Sequence, residues 1–225
     1  MSVVAARAGA PTRAATPDPG TIKGTVTTTA APATGPIKVT INENVCGQTQ
    51  PDPSVVVGNG GGLANGVVTI SGTRASAATM ITVTNQQCRF APHVQVARPG
   101  ATLRITSEDQ ILHTTHAYAE DERTLFNIAL PLPSISFARP LERARLVRLA
   151  CDTHPWMRGF VVLTEEIAAV TAPDGSFVLS NVPPGTHELR FWHERFKAAP
   201  QKVTVTSDGT AEVKIRAQES LVVSR

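Results

Sequence analysis

Residues 150–163 read ACDTHPWMRGFVVL, and the spacing inside that stretch governs how the rest of the chain is read. Cys151, His154 and Met157 follow one another at Cys-x2-His-x2-Met intervals. They lie between RLVRLA (145–150), whose near alternation is that of a half-buried strand, and GFVVLT (159–164), a continuous apolar run suited to a buried one. One short loop between two strands therefore offers a thiolate, an imidazole and a thioether. Soft sulfurs suit Cu(I), imidazole also serves Cu(II), and Met is a poor zinc ligand, so the donor set points to redox-active copper rather than to half of a zinc site. Pro155 biases His154 away from helical backbone angles and helps to fix the loop. A second histidine is needed to complete the set.

Working outward, DQILHTTHAY (109–118) supplies two candidates, His113 and His116, on a segment that follows the strand pattern ATLRIT (101–106). In an extended strand, residues three apart face opposite sides, so His113 and His116 do not reach one metal together. GTIKGTV (20–26), IKVTI (37–41), SVVVG (54–58), GVVTISG (66–72), MITVT (80–84) and HVQVA (93–97) are short, mostly β-branched segments separated by Gly, Pro and Asn. Beyond residue 165 the pattern stays β. Asp174-Gly175 and Asp208-Gly209 are hairpin signals, and Pro183-Pro184-Gly185 is a further turn. An all-β fold is expected, with one or two domains in 225 residues.

The 80–165 region resembles the cupredoxins, the blue copper domains of the amicyanin and plastocyanin type. The resemblance rests on the CDTHPWMRGFVV loop, the strand pair FAPHVQVARPGATLRIT (90–106) and the HTTH segment (113–116). It implies a Greek-key β-sandwich holding one copper per chain, with His113 and His154 as imidazole ligands, Cys151 as thiolate and Met157 as axial thioether; His116 is left outside. His93 falls where that pattern has no ligand. Residues 166–217, through DGSF, VPPG and HELRFW, resemble the carboxypeptidase regulatory-like domain, a small transthyretin-like sandwich whose opening strands are matched by GTIKGTV and GVVTISG. The likeness implies a discontinuous sandwich of 20–75 and 166–217 interrupted by a cupredoxin domain at 76–165. Two consecutive domains are the alternative. His187 and His193 then belong to packing or to an interface.

Three cysteines leave at least one unpaired. With Cys151 on the copper loop, a Cys46–Cys88 disulfide is expected to staple the two modules in an oxidising compartment, periplasmic or extracellular; two free buried thiols are the alternative. Residues 1–19 read as a disordered tail or linker without the apolar core of an export signal, which fits a leader lying upstream of this start, and 218–225 as a C-terminal tail. No apolar run of about 18 residues spans a bilayer. With 21 basic and 18 acidic residues and no basic run, nucleic acid is not an expected partner.

No Gly-x-Ser-x-Gly elbow or His-Glu-x-x-His helix is present, so the chain is not expected to be an enzyme. An electron-transfer protein or redox subunit, working with a redox protein partner, is the leading expectation. Two others remain: a metal-free or structural binding module of a cell-surface or membrane complex, and a copper storage or delivery protein.

Overall fold

Residues three apart along His113–Ala119 do face opposite sides: His113, Thr115, Ala117 and Ala119 are buried, whereas Thr114, His116 and Tyr118 are partly exposed. The fold is taken from a computed structural model that describes residues 17–29, 35–75, 78–142 and 144–220. The tail read at 1–19 lies outside the described residues apart from 17–19, as does 221–225 of the C-terminal tail; Gln218–Glu219 forms a short strand. Among the described residues the only helical pieces are one α-turn, Glu43–Cys46, and a 3-10 turn, Asn59–Gly61. The chain is all-β.

Four sheets make up two face-to-face pairs. A five-stranded sheet runs in the order Thr124–Leu130, His113–Ala119, Leu146–Ala150, Arg158–Leu163, Val94–Ala97. A four-stranded sheet runs Phe137–Pro140, Thr102–Ser107, Met80–Gln86, Arg89–Ala91. Their inner faces share one core that includes Val83, Phe90, Leu103, Ile105, Leu130, Leu149 and Val161, together with Cys151 and Met157. The other pair comprises Ser176–Val182, Gly20–Thr27 and Thr210–Arg216 in one sheet, and Ile167–Val170, Val67–Ile70, Gly185–Trp192 and Gln201–Val205 in the second. Ile22, Leu63, Ile70, Phe177, Leu189 and Phe196 fill the space between them. Strands from 20–70 thus pair with strands from 167–216, across everything in between.

Several local readings change. IKVTI yields only the two-residue strand Ile37–Lys38, and SVVVG contributes a single bridge at Val57. The segment after Ile37 adds Val39 and Cys46 to the core that contains Val83 and Leu149, not to the core around Ile22. Turns form at Asp174-Gly175 and Asp208-Gly209, but neither closes a hairpin. Ile167–Val170 and Ser176–Val182 belong to different sheets, as do Gln201–Val205 and Thr210–Arg216. Turn chemistry sets the local reversal; the burial of each strand's apolar face selects the sheet it joins.

A third apolar cluster, Val67, Val94 and Phe160 with Leu146, Val170 and Trp192 around them, joins the two sheet pairs. Phe160 and Trp192 meet edge to face at 5.4 Å, an arrangement worth about 0.5–1.5 kcal/mol beyond area burial. Beside it His93 bonds Glu194 through Nε2 at 2.5 Å and the Arg158 carbonyl through Nδ1 at 3.0 Å. His193 is buried, its Nδ1 accepting the Arg195 N–H at 3.0 Å. Burial is the main cause that holds its pKa down to about 4 against an ordinary 6.5; His93 and Arg195 act in the same direction, Glu194 and the Ala64 backbone oppose it. Because the folded pKa lies below the unfolded one, this group leaves stability intact above pH 6.5 and erodes it as pH falls towards 4. The gap corresponds to roughly 3 kcal/mol. Urea unfolding of wild type and His193→Phe across that window is expected to show a steeper acid loss in wild type; parallel curves would contradict it.

Candidate metal centre

Cys151 leaves the end of Leu146–Ala150 pointing into the core, 3% exposed, and is the free cysteine among the described residues. The neighbouring strand, paired so that Ala150 faces His116, brings Thr114 alongside it. The Thr114 N–H donates to Cys151 Sγ at 3.3 Å, and its hydroxyl accepts the Asp152 N–H at 2.7 Å. Those two bonds fix the sulfur from behind. The loop then turns back, with the Met157 N–H donating to the His154 carbonyl at 2.9 Å, which keeps His154 and Met157 buried.

Two imidazoles converge on the sulfur. His113 Nδ1 lies 3.9 Å and His154 Nδ1 3.6 Å from Sγ, and the ring centroids are 4.6 Å apart. Both rings are 0% exposed, and one donor atom from each of His113, Cys151 and His154 falls within 4.8 Å of the others. Burial alone would raise the Cys151 thiol, but bonds with His113, Thr114, Thr153 and His154 bring it down to about 5. The sulfur is therefore held ready as thiolate, the form that binds metal.

Each ring's outer nitrogen has its own partner. His113 Nε2 donates to Asp109 Oδ2 at 2.9 Å, and Asp109 in turn accepts the Gln87 and Cys88 N–H groups at 2.8 and 2.9 Å. Burial works against the Asp109 charge, yet those three bonds hold its carboxyl below the ordinary carboxylate value. His154 Nε2 donates to Asn42 Oδ1 at 3.1 Å. A neutral ring with its proton held on the outer nitrogen turns its Nδ1 lone pair to the space beside the sulfur, the arrangement in which histidines ligate metals, whereas the ring bonds that lower the Cys151 thiol belong to rings that carry a proton on Nδ1 as well. A thiolate, two oriented imidazoles and a buried methionine on the same loop fit copper.

His116 lies on the other face of its strand, as strand parity requires. Its Nδ1 is 3.0 Å from Asp152 Oδ1, its Nε2 2.9 Å from Thr124 Oγ1, and its ring stacks on Tyr118. His93 bridges the two sheet pairs through Glu194, His193 packs edge-on against Phe196, and His187 bonds the Pro183 carbonyl. A second grouping, Cys88 with Asp109 and His113, is not a separate site, because Cys88 is bonded to Cys46 in a disulfide.

The sequence did not disclose the outer partners. Asp109 carries one signal, a carboxylate four residues before a ligand candidate, on the loop that enters the strand. Asn42 carries none, being 112 residues from His154. The turn that serves Asp109 was hidden too: Gln87 and Cys88 both have positive φ, 51° and 56°, in a two-residue hairpin turn without glycine. Acceptance of both N–H groups by Asp109 is what offsets the unfavourable backbone.

Comparison with known proteins gives two kinds of likeness. Residues 154–223 match the family model of the β-sandwich domain of ER membrane protein complex subunit 7. No curated protein matches. Similar solved structures include a novel purple cupredoxin from Nitrosopumilus maritimus, at 20% identity and a TM-score of 0.33, covering 37% of this chain and 98% of that one. Amicyanin from Paracoccus versutus is similar at 15% identity and a TM-score of 0.33, over 43% of this chain and 97% of its own. A copper-containing nitrite reductase from Thermus scotoductus SA-01 is similar at 20% identity and a TM-score of 0.32, over 38% of this chain and 22% of that one. At these scores the structural likenesses carry no argument about the site, which stands on its own geometry.

Proposed function

We propose that this chain is a type 1 copper protein that transfers electrons, either alone or as the redox subunit of a larger assembly. The observation that carries the reading is the buried convergence of His113 Nδ1, Cys151 Sγ and His154 Nδ1, with the outer nitrogens of both rings already bonded. Met157, buried at the end of the same loop, is assigned as the weak axial donor. Copper bound there would supply one-electron chemistry between Cu(I) and Cu(II). The protein's own part is to hold the sulfur as thiolate, to keep both imidazoles in one tautomer and to exclude water from the donors. Four protein donors would leave no position for a substrate on the metal, which supports electron transfer over catalysis at this site.

The module division 20–75 with 166–217, and 76–165, is part of the proposal, supported by the strand ladders and amended by the packing of Val39 and Cys46 on the copper unit. The Cys46–Cys88 disulfide supports an oxidising compartment, periplasmic or extracellular. No described helix is long and apolar enough to cross a membrane.

A second reading is favoured by the match of residues 154–223 to a membrane-complex subunit's β-sandwich domain: the sandwich formed by 20–75 with 166–217 docks this chain to a membrane assembly as a structural module. It is compatible with a working copper centre or with none. Stopped-flow reduction by a small mediator, followed by challenge with a Cu(I) chelator, separates the functions. An electron carrier exchanges electrons rapidly and keeps its metal; rapid loss of Cu(I) with sluggish electron exchange would instead assign storage or delivery.

A further inference from the structure

Asn42 sits immediately before the α-turn Glu43–Cys46, where asparagine ordinarily caps a helix by accepting an N–H two or three residues on. Here its side chain makes no capping bond, and its backbone is left-handed, φ 56° and ψ 37°. The amide oxygen is turned instead to His154 Nε2 at 3.1 Å. That bond bridges from the N-terminal segment to the loop carrying Cys151, and it is His154's counterpart of the Asp109 bond to His113.

What keeps Asn42 in place is one helical turn and a covalent link. The Cys46 N–H donates to the Asn42 carbonyl at 2.9 Å, and Cys46 is bonded to Cys88. Cys88 is itself fastened to the site on two sides. Its N–H donates to Asp109, the partner of His113, and its carbonyl accepts the Trp156 indole N–H at 3.1 Å, two residues from His154. Gln50 Nε2 closes the turn by donating to the Cys46 carbonyl at 2.5 Å. The bridge therefore joins the supports of the two imidazoles.

Resting on the copper reading above, we infer that Asn42 is a positioning residue for the metal centre, and that the Cys46–Cys88 bridge holds it against His154. Asn42 orients the imidazole so that Nδ1 presents its lone pair beside Cys151 Sγ. Loss of an outer partner of a metal-bound histidine typically lowers metal affinity about 10–100-fold. The bridge acts through Asn42, so removing both should cost no more than removing one.

The test uses the full chain with Asn42→Gly, which removes the acceptor while tolerating the left-handed backbone, Asn42→Asp, which keeps an acceptor, and Cys46→Ala with Cys88→Ala, alone and combined with Asn42→Gly. Nitrogen-15 spectra of metal-free protein in mildly alkaline buffer report the His154 tautomer; competition with a chromophoric chelator reports Cu(I) affinity. The expected result is an Nε2–H tautomer in wild type and Asn42→Asp, a mixture in Asn42→Gly and in the bridge variant, and about a 10–100-fold affinity loss in the latter two that does not grow when they are combined. An unchanged tautomer and affinity in Asn42→Gly would overturn the inference, and additive losses would overturn the role of the bridge. Wild type that takes up no copper would overturn the copper reading and this inference with it, whereas copper-binding wild type matched by Asn42→Gly overturns this inference alone. Asn42→Gly decides the matter even if the bridge variant does not fold.

Discussion

Serine in place of Cys151 is expected to abolish the intense visible band of the oxidised, copper-loaded protein and to remove most of its copper affinity. The sulfur is the group on which the site is built: Thr114, Thr153 and both histidines are arranged around it, and their bonds hold it at a pKa near 5 despite burial. A serine hydroxyl keeps the volume and the Thr114 contact but stays protonated at neutral pH and offers a hard oxygen where Cu(I) needs a soft donor. Folding should survive. Absorption spectroscopy with elemental analysis of the dialysed protein checks both parts, and a Cys151→Ser variant that stays coloured would place the thiolate elsewhere, although the other two cysteines are joined.

His113→Ala and His116→Ala should part company completely. The two rings are three residues apart on one strand and face opposite sides, one fully buried against Cys151 and the other hydrogen-bonded to Asp152 and Thr124 at the surface. His113→Ala is expected to eliminate the type 1 electron paramagnetic resonance signal. It should also cost about 1–3 kcal/mol of stability, because the Asp109 carboxylate loses its side-chain donor in a mostly buried place. His116→Ala should leave the signal in place, with a stability change of about 1 kcal/mol or less, the scale of an exposed polar contact. Loss of the signal in His116→Ala with its retention in His113→Ala would reverse the assignment.

How much of this was legible in the chain differs from one feature to the next. The loop was legible because three chemically distinct donors stand within seven consecutive residues between two strand patterns, and local spacing is what a sequence displays directly. The parity of His113 and His116 was legible for the same reason, since a strand's period is two. The destination of each turn was not. Asp174-Gly175 and Asp208-Gly209 state that the chain reverses, but whether the next strand pairs with its predecessor or crosses to the facing sheet depends on how the apolar faces meet: Phe177, Leu179 and Ile215 on one sheet share a core with Ile70, Leu189 and Val203 on the other. Nor was the outer shell. Asn42 meets His154 because the segment 37–50 packs Val39 and Cys46 into the core that contains Cys151, although IKVTI reads, in sequence, as a strand of the other sandwich. The disulfide is expected as a staple between modules; in the structure it pins that segment to the sheet pair that carries Cys151, and through the Trp156 bond to the Cys88 carbonyl it lies close to the candidate site.

The central claim, a single copper held by Cys151 and the two histidines, is tested most directly by the visible absorption spectrum of wild-type protein after copper loading, oxidation and removal of excess metal, with the metal content measured on the same sample. The account predicts one copper per chain and an intense thiolate-to-Cu(II) band. A colourless protein that retains no copper would contradict it and leave the chain a metal-free β-sandwich module.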